Sequence, residues 1–236
     1  MHKKNLVDRN PLQPFANGSD HILPEGGFGA VMARAGVGKT AFVVQVALNT
    51  LLKDKKVLHI SLNDPVKKVS LWYREVFRDI AGQYSSPEDT RSIENLWDEL
   101  APNRFIMTFQ AETFQVATLE ERLTDLTEQG IFSPAVILID GLPFDGNVRD
   151  TLEDLKSLSR RNGFRIWYTV VTHRHEEPAD DGLPVQISGV SDLFDVVILL
   201  RPEGDEIHVE PIKGVSANGK PSILLDTGTM LLKAVT

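Results

Sequence analysis

The chain has 236 residues, with 25 basic residues against 33 acidic ones for a net charge of −8 and no cysteine. At roughly 100–200 residues per domain this is one domain. The missing thiols exclude a disulfide framework, a cysteine-ligated zinc or iron–sulfur centre and a cysteine nucleophile, and the acidic balance argues against a strongly basic nucleic-acid footprint. No apolar run approaches the ~18 residues of a spanning helix, and the start MHKKNLVDRNPLQPF has no apolar core behind its basic residues, so it does not read as a secretory signal. The expectation is a soluble cytoplasmic protein with no membrane partner.

The first 27 residues carry Pro11, Pro14, Pro24, Gly18, Gly26 and Gly27 without sustained periodicity, which reads as a loosely structured arm ahead of a main domain over 28–236. Strand-length apolar runs then alternate with helical patterns. Strands are expected at 28–33, 57–62, 105–109, 135–139 and 165–172. Four of them are near-continuous apolar runs, the pattern of strands buried on both faces of a parallel sheet. An apolar stretch over 41–52 follows the first strand. Asp64-Pro65 reads as N-cap and N1 of a helix whose stripe is Val66, Val69, Tyr73, Val76, Phe77 and Ile80. A short helix is expected over 92–100. Thr118 to Glu121 reads as a capping box before the stripe Leu119, Leu123 and Leu126, with Gly130 at the stop. Val148, Leu152, Leu155 and Leu158 form another stripe that ends at Asn162-Gly163. The order β-α-β-α-β-α-β-α-β predicts an α/β fold with a mostly parallel sheet and helices on both faces. The last 45 residues change character. Short strands at 195–200, 206–212, 222–225 and 230–234, separated by Glu203-Gly204-Asp205, Asn218-Gly219 and Thr227-Gly228, should pair as antiparallel hairpins at one sheet edge.

The strongest local signal is Ala33-Arg34-Ala35-Gly36-Val37-Gly38-Lys39-Thr40. It fits G-x-x-x-x-G-K-[ST] except that Ala33 replaces the first glycine. Glycines let such a loop curl so that its backbone N–H groups form an anion nest, and the following helix adds its positive N-terminal end. Lys39 then reaches the β- and γ-phosphates, and the Thr40 hydroxyl faces Mg²⁺. The nucleotide-binding set is Arg34, Ala35, Gly36, Val37, Gly38, Lys39, Thr40 and Ala41. An acidic residue closing a buried strand should complete the metal side, and Asp140, after the run AVILI, supplies it.

The segment ARAGVGKTAF resembles the phosphate loop of RecA-like P-loop ATPases, especially the DnaB-type helicase branch, with KaiC-like and RadA-like proteins sharing the core. The likeness runs from about Phe28 to Leu232 and includes the terminal hairpins. It implies an oligomeric ring or filament that binds ATP and Mg²⁺. The family carries a glutamate just after the strand that follows the loop helix, where it activates the attacking water. Here Asn63 stands in its place, so the resemblance leaves Asp64 as candidate base and Glu112 as a weaker one, and it implies weak, slow ATP hydrolysis. The family's polar sensor falls at Thr172-His173. Its trans-acting Lys and Arg reduce here to Lys213 alone.

Two other readings stand beside this one. A nucleotide-binding interaction module without turnover is suggested by Asn63, and a ParA/MinD-like ATPase by residues 34–40 with 61–65, although that family lacks terminal hairpins. DNA binding is weakly supported. The loop after Asp140 has a single Arg, and the loop after His173 carries Glu176, Glu177, Asp180 and Asp181 against one Arg, whereas phosphate neutralisation needs positive charge. An acidic loop better suits a protein partner. His173-Arg174-His175 with Glu176-Glu177 reads as a loop rather than a metal site.

Overall fold

A computed structural model describes residues 3–16, 21–84, 89–173, 176–215 and 222–235. Nine strands form one sheet: β1 (Phe28–Ala33), β2 (Val57–Ser61), β3 (Arg104–Thr108), β4 (Val136–Asp140), β5 (Arg165–Val171), β6 (Val196–Glu203), β7 (Glu206–Lys213), β8 (Ser222–Leu225) and β9 (Leu232–Val235). Their spatial order is β3-β2-β4-β5-β1-β6-β7-β8-β9. From β3 to β6 all pairings are parallel, and from β6 onward they are antiparallel. The helices are α1 (Lys3–Asp8), α2 (Lys39–Leu52), α3 (Val66–Gly82), α4 (Thr90–Leu100), α5 (Val116–Glu128), α6 (Arg149–Asn162) and the single turn α7 (Val185–Ser188). Among the described residues, no helix is long and apolar enough to cross a membrane.

Strand alternation divides the apolar residues into two cores. Val31, Ala33, Val57, Leu138 and Trp167 join α1 to α4 on one face. Phe28, Met32, Leu58, Ile139 and Tyr168 join α5 and α6 on the other. β1 lies between β5 and β6 with all six residues buried, which is why its sequence is a continuous apolar run. The loops leaving β1, β2, β4 and β5 gather at the carboxyl ends of the parallel strands, where open α/β sheets bind ligands.

Several sequence expectations shift. β3 is an edge strand rather than a doubly covered one: only Met107 is buried and Phe105 is 37% exposed. α5 begins at Val116 with Gln115 as its cap and no side-chain capping bond, so Thr118 lies inside the first turn and the capping box does not form. Phe114, stacked edge-on against Phe109 at 5.3 Å, and Val116 pack on the second core and draw the helix start upstream. α3 begins at Val66 with Pro65, not Asp64, in the cap position. The 3–16 segment carries α1 and a 3-10 turn over Gln13–Ala16, with Leu6, Leu12 and Phe15 buried in the first core. Lys3 also pairs with Asp54. Burial of three large apolar residues stabilises structure that the Pro and Gly content of this segment concealed. The antiparallel β6–β9 edge forms as expected, with a turn at Gly204 (φ 59°). Asn218-Gly219 lies outside the described residues.

Candidate functional site

The loop between β1 and α2 is shaped by two left-handed glycines, Gly36 at φ 78° and Gly38 at φ 110°. Gly38 is also the N-cap of α2, and a β-carbon there would collide with Leu225 Cδ2 of β8. Both the backbone sign and the close approach of the terminal hairpin therefore demand glycine. Lys39 opens the helix and is buried, 9% exposed. Its Nζ donates to the carbonyls of Ala33 and Arg34, each at 2.9 Å. An ammonium has three donors, so the loop uses two and leaves one. Burial pushes the Lys39 ammonium below the ordinary lysine range, and the Asp140 carboxylate partly opposes this. Arg34 is half-buried, Ala35 exposed, Val37 half-buried and Ala41 buried.

Asp140 ends β4. Its Oδ2 accepts from Thr40 Oγ1 at 2.9 Å, joining residues a hundred positions apart. Its Oδ1 accepts from Thr169 Oγ1 of β5 at 2.5 Å, and the Gly141 N–H donates to the same Thr169 hydroxyl at 3.1 Å. On the other flank Ser61 of β2 lies opposite Asp140 in register. Ser61 Oγ accepts the Asp64 N–H at 2.9 Å, which brings the Asp64 turn beside the Asp140 strand. The Asp64 carboxylate is half-buried and accepts from Lys68 Nζ at 2.9 Å. Asn63 is exposed and lies over Gly141, where a β-carbon would collide with its Nδ2.

His173 follows β5, the strand between β1 and β4, so its position separates the glycine loop from Asp140. Its Nε2 is 3.4 Å from Asp145 Oδ1, both side chains being exposed. Arg174 and His175 lie outside the described residues, and among the described residues no group of three His, Asp or Glu could hold a metal. Glu112 sits in a 3-10 turn beyond β3. Four strand spacings separate β3 from β1, about 19 Å, so the fold does not bring Glu112 to the loop. Lys213 donates to the Ser191 carbonyl of its own chain.

Beneath the site, His59 of β2 is fully buried. Its Nδ1 shares a hydrogen bond with Tyr73 Oη at 3.1 Å, while Nε2 has no partner among the described residues. Burial lowers its pKa to about 4. Asp140 and Asp64 pull it upward, and the nearby Arg104 adds to the lowering. Arg104 itself lies over the Tyr73 ring at 4.6 Å and the Trp97 ring at 5.4 Å.

The expected set Lys39, Thr40 and Asp140 is thus brought together, with Asp64 and His173 on flanking strand ends. Sequence reasoning missed Thr169, Ser61, Asp145 and His59. A lone threonine inside the buried run RIWYTVV was the available signal for Thr169.

The comparisons with known proteins agree with this arrangement. A family model described as an AAA domain (AAA_25) matches residues 8–144. No curated protein matches the chain. A solved structure, the ATPase domain of a DnaB-like helicase, is similar with a TM-score of 0.67 and 18% identity, covering 90% of this chain and 86% of that one. That likeness supports the RecA-like fold. With a phosphate-loop geometry on a RecA-like sheet and a family match over more than half its length, the chain belongs to the AAA_25 family of AAA domains and is a RecA-like P-loop ATPase by fold and family.

Proposed function

We propose that the chain binds Mg–ATP with residues 34–41 cradling the phosphates, hydrolyses it slowly, and acts in the cytoplasm as an oligomeric motor or nucleotide-regulated switch. The observation that carries this reading is the joint placement of Lys39, Thr40 and Asp140. A buried ammonium at a helix N-terminus lies in the field of a carboxylate, and that carboxylate is bonded to the adjacent hydroxyl at 2.9 Å. The nest binds anions through backbone N–H groups and the end of α2. Lys39 orients the β- and γ-oxygens. The hydroxyl and carboxylate are hard oxygen donors, the donor type Mg²⁺ takes in phosphate sites, so Thr40 and Asp140 fit the ion. When bound, Mg²⁺ would neutralise charge developing on the transferred phosphoryl group.

Asn63 cannot accept a proton, and the nearest carboxylate in that turn, Asp64, is engaged by Lys68 at 2.9 Å. Asp64 serves as the general base from this compromised position, which makes turnover slow, and His173 senses the γ-phosphate from the end of β5. General bases contribute roughly 10²-fold or more. Steady-state ATP hydrolysis by the purified chain tests this, with Lys39→Ala as the blank. Turnover absent in the blank and reduced about 100-fold in Asp64→Asn at unchanged nucleotide affinity supports the assignment. Wild-type turnover in Asp64→Asn contradicts it. Asn63 also favours a second reading, a nucleotide-binding switch that turns over only with a partner, and absence of turnover in the isolated chain would favour that reading. The antiparallel β6–β9 edge speaks against the ParA/MinD-like alternative.

A homo-oligomeric ring or filament is the assembly this fold suggests, although Lys213 is turned to Ser191 of its own chain. The acidic loop suits a protein partner better than DNA. Glu176 bonds Gln186 and Asp181 bonds Ser188, so the acids brace their own loop and leave no basic path for a phosphate backbone. Reversing the charge of Glu176, Glu177, Asp180 and Asp181 should leave ATP affinity within about twofold in a binding titration, because exposed charges beyond a Debye length of ~8 Å are largely screened.

A further inference from the structure

The carboxylate at the end of β4 is fixed from both sides. Thr40 Oγ1 holds Oδ2 at 2.9 Å and Thr169 Oγ1 holds Oδ1 at 2.5 Å. The two contacts differ in kind. Thr40 sits on the loop helix, which changes its partners when phosphates arrive. Thr169 is 3% exposed on a central strand, paired in register with β1 through Val31. Its hydroxyl has one hydrogen and two lone pairs. The hydrogen goes to Asp140, and one lone pair takes the Gly141 N–H at 3.1 Å. Gly141 is itself left-handed, φ 93°. One buried hydroxyl therefore sets both the orientation of the carboxylate and the direction of the chain leaving it.

We propose that Thr169 is a positioning residue for the metal-facing carboxylate: by holding Asp140 Oδ1 and the Gly141 N–H together on β5, it keeps Oδ2 turned toward Thr40, where Mg²⁺ would be received. This rests on the Asp140 assignment above. The donor is rigid because a β-branched side chain in a strand has few χ1 states and its strand is buried on both faces. Without the hydroxyl the carboxylate is free to rotate about χ2 and the Gly141 N–H loses its partner. Removing such outer partners of metal ligands typically lowers metal affinity 10–100-fold.

The test is the Mg²⁺ dependence of nucleotide binding to the full chain, read with a fluorescent ATP analogue and repeated in EDTA. Mn²⁺ binding with the same nucleotide, followed by electron paramagnetic resonance, gives a readout independent of turnover. Thr169→Val keeps the shape and removes the hydroxyl. It should raise the half-saturating Mg²⁺ and Mn²⁺ concentrations about 10–100-fold while affinity in EDTA stays unchanged. Thr169→Ser restores the donor and should stay within about threefold of wild type. Thr169→Cys, a weak donor of similar size, should fall between them and serves if the valine variant does not fold. A folded Val or Cys variant with wild-type metal dependence overturns the proposal. Asp140→Asn separates the two readings. If Asp140→Asn shifts the metal dependence and Thr169→Val does not, only the positioning role fails. If Asp140→Asn leaves it unshifted, the Asp140 assignment fails and takes this inference with it.

Discussion

Lys39→Ala is expected to lower ATP affinity by at least about 100-fold, since truncating one member of a buried hydrogen-bonded charge pair costs roughly 2–5 kcal/mol. Lys39 is the buried cation of the loop, 9% exposed, and its two bonds to the Ala33 and Arg34 carbonyls hold the ammonium inside the curl of the loop. The variant should remain folded. Burial disfavours the charged form of this lysine, so its removal lifts a desolvation cost from the native state, and the exposed loop around Ala35 and Gly36 lets water take over the two carbonyls. A binding titration on the full chain, with circular dichroism as the control for folding, reads the effect. Affinity unchanged in a folded variant would remove the phosphate-loop assignment.

The second large effect is acid destabilisation through His59. Its pKa in the folded chain is about 4 against an ordinary 6.5. Between those values the unfolded chain binds a proton that the folded chain excludes, so stability falls as pH drops from about 6.5 toward 4 and is fully present above 6.5. At about 1.4 kcal/mol per pH unit, that window corresponds to roughly 3 kcal/mol. The groups facing the imidazole explain the sign. Tyr73 holds Nδ1, Arg104 lies on the far side of the Tyr73 ring and repels a second cation, and the attraction of Asp140 and Asp64 is outweighed by burial. Denaturant midpoints measured from pH 7 to pH 4.5 should fall steeply for the wild type and much less for His59→Gln. Equal slopes in the two proteins would contradict the assignment.

The parts of the molecule legible in its sequence are those where one physical rule dominates. β1 is central, and its six buried residues give an unbroken apolar run. The stop of α6 is written in Asn162-Gly163, with Gly163 left-handed at φ 69° after Arg160 and Arg161 in the last turn, where cations complement the helix dipole. The glycine loop is legible because anion nests need glycine at fixed places. Elsewhere local signals lose to tertiary packing. FIMTF at 105–109 is apolar enough for a buried strand, yet sheet order places β3 at the edge. Thr118 looks like a cap, yet Phe114 and Val116 anchor the chain earlier.

The site divides in the same way. Lys39, Thr40 and Asp140 announce themselves by motif and strand end. Thr169, Ser61 and His59 act through pairings across β2, β4 and β5, and cross-strand neighbours are set by register, which a single sequence does not display. The Asp145 contact to His173 joins two loops and has no local signature.

The central claim is that ATP phosphates lie in the glycine loop with the metal beside Thr40 and Asp140. Its most direct test is a crystal structure of the full chain with Mg²⁺ and a non-hydrolysable ATP analogue. The account expects the β- and γ-phosphates within hydrogen-bond distance of the backbone N–H groups of residues 36–40 and of Lys39 Nζ, with the ion next to Thr40 and facing Asp140. Nucleotide bound elsewhere on the sheet, or an ion held without either residue, would contradict it.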